Sequence, residues 1–567
     1  MHTYDHKAIL ISDFTIDNFA GYLNNDQSFP RIQSTIAPFG QVMQVLMNES
    51  LDCWKTDPEL GIVWTRPEAV IEAFNKTLQF ERVELEEILQ QVDAYCQALQ
   101  SLQQRLRWVF IPTWIMPGYH RGLGALDLRA NGGIAYTLMH MNLRLVQNLN
   151  DVPNCLVLDA QRWIANAGHR AFNAKLWYLG KIPFANDVFK EAVRDFKAGV
   201  RGLSGKGKKL IILDLDETLW SGIVGDEGWQ NIVLGGHDPV GEALVDFQTE
   251  LKALKNRGIL LAVVSKNEES VALEAIGNHP EMVLREEDLA GWKINWQDKA
   301  QNIVELVDEL NLGLDAAVFI DDNPVERARV GEALPDVFVP DWPQDKLLYR
   351  QTLLSLDCFD SGSISSEDRQ RTKMYTAERQ RSQLKSTVGS LEQWLKSLHT
   401  QVTVESLNDV NLGRVTQLFN KTNQMNLSTR KMTSAELSTW TSAEGRRLFA
   451  FRVSDKFGDS GLIGIVTTEV QQETLHVVDF VFSCRVMGRN VEETMLSIAI
   501  AYGRAQGLKK VCARYIPTKK NKPCFDFLLN SRLARGPEDI FSWDLSKEYL
   551  IPPHIEVYDT SCMSNTP

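Results

Sequence analysis

A chain of 567 residues is too long for one compact core, and three domains are expected. Apolar residues at 44% and charged residues at 23% are ordinary globular proportions, which exclude a disordered or fibrous chain. A net charge of −13 with no long Lys/Arg run argues against nucleic acid or an anionic membrane as the main partner, so phosphate chemistry must rest on a local site.

The opening MHTYDHKAILISDF has no basic segment followed by a long apolar one, and no later segment reaches transmembrane length, so a cytoplasmic protein is expected. Cys53, Cys96, Cys155, Cys358, Cys484, Cys512, Cys524 and Cys562 are scattered without a CxxC pair, which argues against a disulfide framework or structural zinc. Residues 1–200 show strand-like runs at Ala8–Ser12, Arg107–Pro112 and Cys155–Asp159 and a helical rhythm over Phe80–Leu106, the pattern of an α/β domain with a partly parallel sheet. Ser12-Asp13 after the first strand resembles the opening of a GDSL-type (SGNH) esterase, but the preceding glycine is missing and no DxxH closes the segment. A non-catalytic scaffold or docking domain is expected.

The glycine- and lysine-rich loop Arg201–Lys209 marks the next boundary. It nearly spells a phosphate-binding P-loop, but Lys209 stands at the Ser/Thr position and the loop precedes a strand instead of following one. Over residues 205–345 the pattern alternates: strand Leu210–Leu213, helix Gly241–Asn256, strand Ile259–Ser265, helix Lys299–Leu310, strand Ala316–Ile320. That is a doubly wound parallel sheet, whose ligands bind at the carboxyl ends of its strands. Residues 346–400 read as a helical connector, solvated over Ser361–Lys396, 401–550 as a third, α+β domain, and 551–567 as a tail.

The acidic residues lie at those carboxyl ends. The run Leu210-Ile-Ile-Leu-Asp214-Leu-Asp216-Glu-Thr218 is an apolar strand ending in two carboxylates. Phosphoryl transfer needs a nucleophile, an acid for the leaving oxygen and a cation to neutralise phosphoryl charge. Asp214 suits the first role and Asp216 the second. Ser265 could hold a phosphoryl oxygen, with Thr218 and Asn267 beside it as substrate contacts. Asp321 and Asp322 follow an apolar run and, with Asp214 and Asp216, supply the hard oxygen ligands that Mg2+ favours. DxDxT, a serine after a strand, a lysine at a helix start and a strand ending in DD resemble, in order, the four motifs of the haloacid-dehalogenase (HAD) superfamily. Lys299 and Lys293 are the candidates for the lysine; Lys299 is favoured because it begins the helix before the last motif strand. Between Asp216 and Ser265 there is room for a short flap, Leu219–Leu234, and one helix, and between Ser265 and Lys299 there is no room for a separate cap domain. A minimal cap suits a bulky or protein-borne substrate, or a lid from another domain.

Read outward through LDLDETLWSGIVGDEG, WKINWQDKAQNI, VFIDDNPVERARV, FNKTNQMNLSTRK and FSCRVMGRNVEE, the sequence resembles the FkbH-like family from Lys209 to about Leu528. The approach segment LWYLGKIPF also fits. The resemblance implies a bifunctional enzyme that takes 1,3-bisphosphoglycerate, removes its phosphates and loads the glyceryl unit as a thioester onto an acyl carrier protein for polyketide-type biosynthesis. In the third domain a strand at Leu475–Ser483, the turn Cys484–Asn490 and a helix at Val491–Arg504 resemble the pyrophosphate loop of GNAT acyltransferases, where N–H groups at a helix start cradle phosphates. Asn490 replaces the last small residue of that loop, which argues against coenzyme A; a phosphopantetheine arm, which carries one phosphate, could use the same cradle. Arg485, Gly488 and Arg489 are the expected contacts. Cys484, beside a helix start and Arg485, is the candidate nucleophile. His476 lies eight residues away on one strand, roughly 27 Å at about 3.4 Å per residue, too far to be its base unless the strand bends. Asn423 and Gln424 are expected to line the acyl site. The alternative reading is a magnesium-dependent HAD phosphomonoesterase with an accessory binding domain.

Overall fold

The computed structural model of the protein describes residues 4–362 and 390–560 apart from Tyr119, Asn131, Pro153, Cys484 and Arg485; between the two stretches it describes Thr372, Lys373, Tyr375, Ala377, Arg381 and Leu384. Most of the connector expected at Ser361–Lys396 therefore lies outside the described residues, and of those described Thr372, Tyr375, Ala377 and Arg381 are buried, not solvated as expected. Among the described residues no helix is long and apolar enough to cross a membrane. The chain divides into two compact units, Met1–Arg201 and Gly202–Pro567.

In the first unit five strands, β1 (His6–Ser12), β2 (Ile32–Ile36), β3 (Leu60–Trp64), β4 (Trp108–Pro112) and β5 (Cys155–Leu158), form a parallel sheet in the order β2-β1-β3-β4-β5. β2 and β3 are additions to the expected strands. β3 is a short apolar run, buried at every position, and such a run carries no period by which to recognise it; β2 lies at the sheet edge and mixes Ile with Gln, Ser and Thr. The helix expected over Phe80–Leu106 is confined to Leu85–Gln100. Phe80 takes a left-handed backbone (φ 60°), and Ser101–Gln104 tightens to a 3-10 turn. At the carboxyl end of β1 the Asp13 carboxylate accepts the Arg66 N–H and Nε, both at 2.8 Å. Ser12 Oγ accepts the Phe14 N–H at 3.1 Å.

In the second unit β6 (Leu210–Leu213), β7 (Leu260–Ser265), β8 (Leu289–Ile294) and β9 (Ala317–Ile320) form a parallel sheet in the order β8-β7-β6-β9. Alternation sends Leu210 and Ile212 to one face, where they meet Ala300, Ile303 and Leu306 of the helix Lys299–Glu309. Ile211 and Leu213 go to the other, against Leu244, Phe247 and Leu251 of the helix Pro239–Asn256. A sheet buried on both faces reads in sequence as unbroken apolar runs, which is why β6, β7 and β9 were legible.

The rest of this unit carries a mixed sheet built from β10 (Thr400–Ser406), β11 (Met425–Asn426), β12 (Arg446–Asp455), β13 (Gly458–Gln471), β14 (Thr474–Phe482), β15 (Lys510–Arg514), β16 (Ala534–Arg535), β17 (Ile540–Asp544) and β18 (Ile555–Asp559). Its order is β16-β17-β15-β14-β13-β12-β10-β18. The parallel ladder between β14 and β15 pairs Thr474–Val477 with Lys510–Ala513. Further along, β14 pairs with β11 instead, Val481 facing Asn426 and Phe482 facing Met425. The helix Val491–Ala505 follows and packs Met495, Leu496 and Ala499 into the core.

Candidate active site

β6 and β9 are neighbours in register, so the residues that follow them emerge side by side. The Asp214 N–H donates to the carbonyl of Ile320 at 3.0 Å, which places Asp214 next to Asp321. Ligand oxygens of Asp214, Asp321 and Asp322 all lie within 4.8 Å of one another. Between them reaches Lys299, 3% exposed, with Nζ 2.6 Å from Asp321 and 3.0 Å from Asp214. Burial pulls the lysine's pKa down, but the two carboxylates outweigh it and hold the ammonium above its ordinary range. Asp321 is pushed up to about 6, first by burial and then by the charge of Asp214, against the pull of Lys299. Both members of the Lys299–Asp321 pair thus shift upward, because three carboxylates share one ammonium and negative charge remains in excess. Burial and Asp214 also raise Asp322.

Three carboxylates and one ammonium leave a formal charge of −2 in a buried space, the balance that a divalent cation would restore. Asp214 Oδ1 is buried and has no hydrogen-bond partner among the described residues. An all-oxygen donor set with a free buried oxygen fits magnesium. Asp216, expected among the ligands, does not bring its carboxylate to this trio. Its Oδ1 accepts Trp220 Nε1 at 2.8 Å and the Val224 N–H at 3.1 Å, and its Oδ2 accepts Asn267 Nδ2 at 2.8 Å. Burial, which outweighs those three donors, raises its pKa above the ordinary carboxylate value.

Ser265 ends β7 and is buried; its carbonyl accepts the Asn295 N–H at 3.1 Å. Thr218, expected to touch substrate, is instead fully buried, its Oγ1 accepting the Asp322 N–H at 3.2 Å and so tying the DD turn to the DxDxT turn. Asn267, likewise expected at substrate, is engaged with Asp216. Lys293 pairs with Glu309 at 2.6 Å and Glu305 at 3.5 Å, along the helix that Lys299 begins. Two residues escaped the sequence reading. Arg327 NH1 donates to the carbonyls of Asp321 and Asp322, each at 2.7 Å, and so fixes the DD turn. Lys346 binds the Glu217 carboxylate and, at 2.9 Å, Ser221 Oγ, joining the helix-rich segment after the sheet to the base of the flap. Neither has a sequence signal, since each acts through a contact that only the fold creates. The flap itself is pinned by reciprocal N–H to carbonyl bonds between Ser221 and Val233, at 3.0 and 2.8 Å.

In the third domain Cys484 and Arg485 lie outside the described residues. Arg489, expected to bind substrate, is 1% exposed and donates from NH1 to Asp455 at 3.1 Å, a carboxylate that Arg381 also grips at 2.7 Å. It is therefore spent on a buried ion pair. Gly488, in a left-handed conformation (φ 78°), turns its N–H to Glu492 Oε1 at 3.2 Å, so the donor expected to meet a phosphate is engaged by an acid. Asn490 follows, also left-handed (φ 63°). Asn423 Oδ1 accepts Lys431 Nζ at 3.0 Å, and the same lysine caps the end of the helix Asp409–Lys421 through the carbonyls of Phe419 and Asn420. Gln424 is exposed.

Among solved structures the chain is similar to the N-terminal part of a Bacteroides fragilis protein that contains a phosphatase domain, complexed with Mg. The identity is 30%, the TM-score 0.57, and the match covers 63% of this chain and 94% of that one. A mutant spermidine N-acetyltransferase from Vibrio cholerae matches at 16% identity and TM-score 0.21, over 26% of this chain and 96% of that one. The ribosomal-protein-S18-alanine N-acetyltransferase from Escherichia coli matches at 9% identity and TM-score 0.20, over 26% and 95%. Scores that low do not identify the third domain. No protein-family model and no curated protein matches the sequence.

Proposed function

The chain belongs to the FkbH-like family of the HAD superfamily, and from that premise we propose that it is a bifunctional glyceryl transferase/phosphatase, which dephosphorylates 1,3-bisphosphoglycerate and loads the glyceryl unit onto an acyl carrier protein. One observation carries the phosphatase half: the buried trio Asp214, Asp321 and Asp322, with excess negative charge and a free Asp214 oxygen beside Lys299. Mg2+, held by that trio, would supply positive charge for the phosphoryl oxygens. Asp214 attacks phosphorus, the bond to the leaving oxygen breaks, and Asp216 gives that oxygen its proton. Asp216 then takes a proton from water as the water oxygen attacks the aspartyl-phosphate, releasing phosphate and restoring Asp214. Lys299 screens the charge that builds on Asp214, and Ser265 holds a phosphoryl oxygen.

In the transferase half, which rests on the family, the Cys484 thiolate attacks the acyl-phosphate carbonyl, phosphate leaves, and the glyceryl thioester passes to the thiol of the carrier's phosphopantetheine arm. The burial of Arg489 and the Gly488–Glu492 contact weigh toward the second reading, a magnesium-dependent phosphomonoesterase with an accessory domain. Intact mass spectrometry of a carrier protein incubated with enzyme, magnesium and 1,3-bisphosphoglycerate separates the two. The first reading expects a dephosphorylated glyceryl adduct with wild type, a phosphate-bearing adduct or none with Asp214→Asn, and none with Cys484→Ala. Steady magnesium-dependent phosphate release with no adduct on any carrier would decide for the second.

A further inference from the structure

Resting on the phosphatase reading, we propose that Asn267 is the positioning residue for the acid/base Asp216, and that Oδ2 of Asp216 carries the transferred proton. A carboxylate oxygen offers two lone-pair directions. Oδ1 has both filled, by Trp220 Nε1 at 2.8 Å and the Val224 N–H at 3.1 Å. Oδ2 has one filled, by Asn267 Nδ2 at 2.8 Å, and among the described residues keeps the other. The proton bound for the leaving oxygen therefore sits on Oδ2, and the Asn267 amide, occupying the neighbouring direction on that oxygen, sets where the O–H points.

The donors come from separate parts of the fold. Trp220 and Val224 belong to the flap, whereas Asn267 stands two residues past the end of β7 and is itself buried. The flap also backs the amide: a Cβ built on Gly225 would lie 3.7 Å from Asn267 Oδ1. The two grips have different consequences. Loss of a flap donor frees the spectator oxygen, while loss of Asn267 frees the proton-bearing one. In the first step the Asp214 oxygen bonds to phosphorus, the bond from phosphorus to the leaving oxygen breaks, and the Oδ2 proton goes to that oxygen to give the alcohol. A misdirected proton slows this step when the leaving oxygen is strongly basic and leaves it nearly unchanged when the leaving group departs as a stable anion.

Single-turnover release of the alcohol isolates that step from the later hydrolysis of the aspartyl-phosphate. It is measured on the full chain with magnesium, using glycerol phosphate as the basic leaving group and p-nitrophenyl phosphate as the acidic one. Asn267→Leu, which keeps the volume but removes the donor, should slow the alkyl ester by about tenfold or more and the nitrophenyl ester by about threefold or less. Asn267→Ser, which restores a donor on a shorter stem, should recover part of the alkyl rate. An equal loss on both esters, or no loss on either, overturns the proposal, as does a serine variant no faster than leucine. The underlying reading is judged separately: Asp214→Asn must abolish release from both esters, and if it matches wild type that reading falls and this one with it.

Discussion

Lys299 serves two buried acids at once, and its ammonium offsets part of their charge in the metal-free site. Removal of one partner of a buried ion pair usually costs about 3–5 kcal/mol, because it strands the other charge. In Lys299→Met two carboxylates, Asp214 and Asp321, would be stranded 3.0 and 2.6 Å from where the ammonium stood. A divalent cation neutralises the same acids, so its binding should recover much of that loss. Urea midpoints of wild type and Lys299→Met, each with chelator and with excess magnesium, test this: the gap between the proteins should be large with chelator and smaller with magnesium. A gap of the same size in both conditions would mean that the trio does not take the ion. Arg327 belongs to the same scale but acts differently, since it grips the backbone carbonyls of Asp321 and Asp322 and so shapes the turn.

At the scale of elements, the 3-10 turn Glu286–Asp288 leads into β8, and Asp288 locks it to the helix Pro239–Asn256 through Lys255 at 2.8 Å and Lys252 at 3.0 Å. Burial favours the neutral acid here, but the lysines and the Arg285 N–H outweigh it and hold the carboxyl below its ordinary 3.8. A depressed acid contributes stability that is fully present above 3.8 and fades as the pH falls through the folded value. Asp288→Asn should therefore cost about 1–3 kcal/mol at pH 7 and progressively less below that ordinary value. Urea unfolding across that range reads it, and a cost independent of pH would show that shape, not charge, is what Asp288 provides. β8 itself was missing from the expected elements, although β6, β7 and β9 were legible within a residue or so of their ends. The difference is composition: apart from Ser265 at the end of β7, those three are runs of Leu, Ile, Val, Phe and Ala, whereas LAGWKI carries a glycine and a lysine that break the apolar run. The order of motifs made Asp214, Lys299 and Asp321 legible too, because each sits at a strand or helix end that the pattern marks. What the pattern could not carry was direction. Thr218 faces the DD turn, Arg489 faces Asp455, and Asn423 faces Lys431, and each of those partners is set by tertiary packing.

At the scale of the whole molecule, the phosphatase sheet and the mixed sheet share one compact unit, Gly202–Pro567, which raises the question of whether the first depends on the second. Among the described residues the segment that joins them is anchored at both ends: Tyr375 packs into the core of the phosphatase sheet, and Arg381 pairs with Asp455 of the mixed sheet at 2.7 Å. Lys520 reaches Asp315 at 2.7 Å, with both side chains about half exposed, and Lys421 reaches Ser361 Oγ at 3.4 Å. An exposed ion pair of that kind is worth about 1 kcal/mol or less. All the groups placed at the phosphoryl site, from Asp214 to Arg327 and Lys346, lie before residue 362, and both faces of the sheet that holds them are covered by helices of the same stretch. The similar Bacteroides fragilis structure is itself an N-terminal part that contains a phosphatase domain. A chain ending at Gly362 loses Tyr375 from that core but keeps the strands and helices that build it, and should therefore fold, bind magnesium and hydrolyse a simple phosphomonoester with kcat within a few-fold of the full chain, while losing all carrier loading. The comparison is made by steady-state phosphate release beside carrier mass spectrometry. A fragment that folds yet loses phosphatase activity would place part of the catalytic environment, a lid over the uncapped site, in the mixed-sheet domain; the loss would then appear as a raised KM for small esters, because a borrowed lid excludes water and holds substrate without touching the nucleophile.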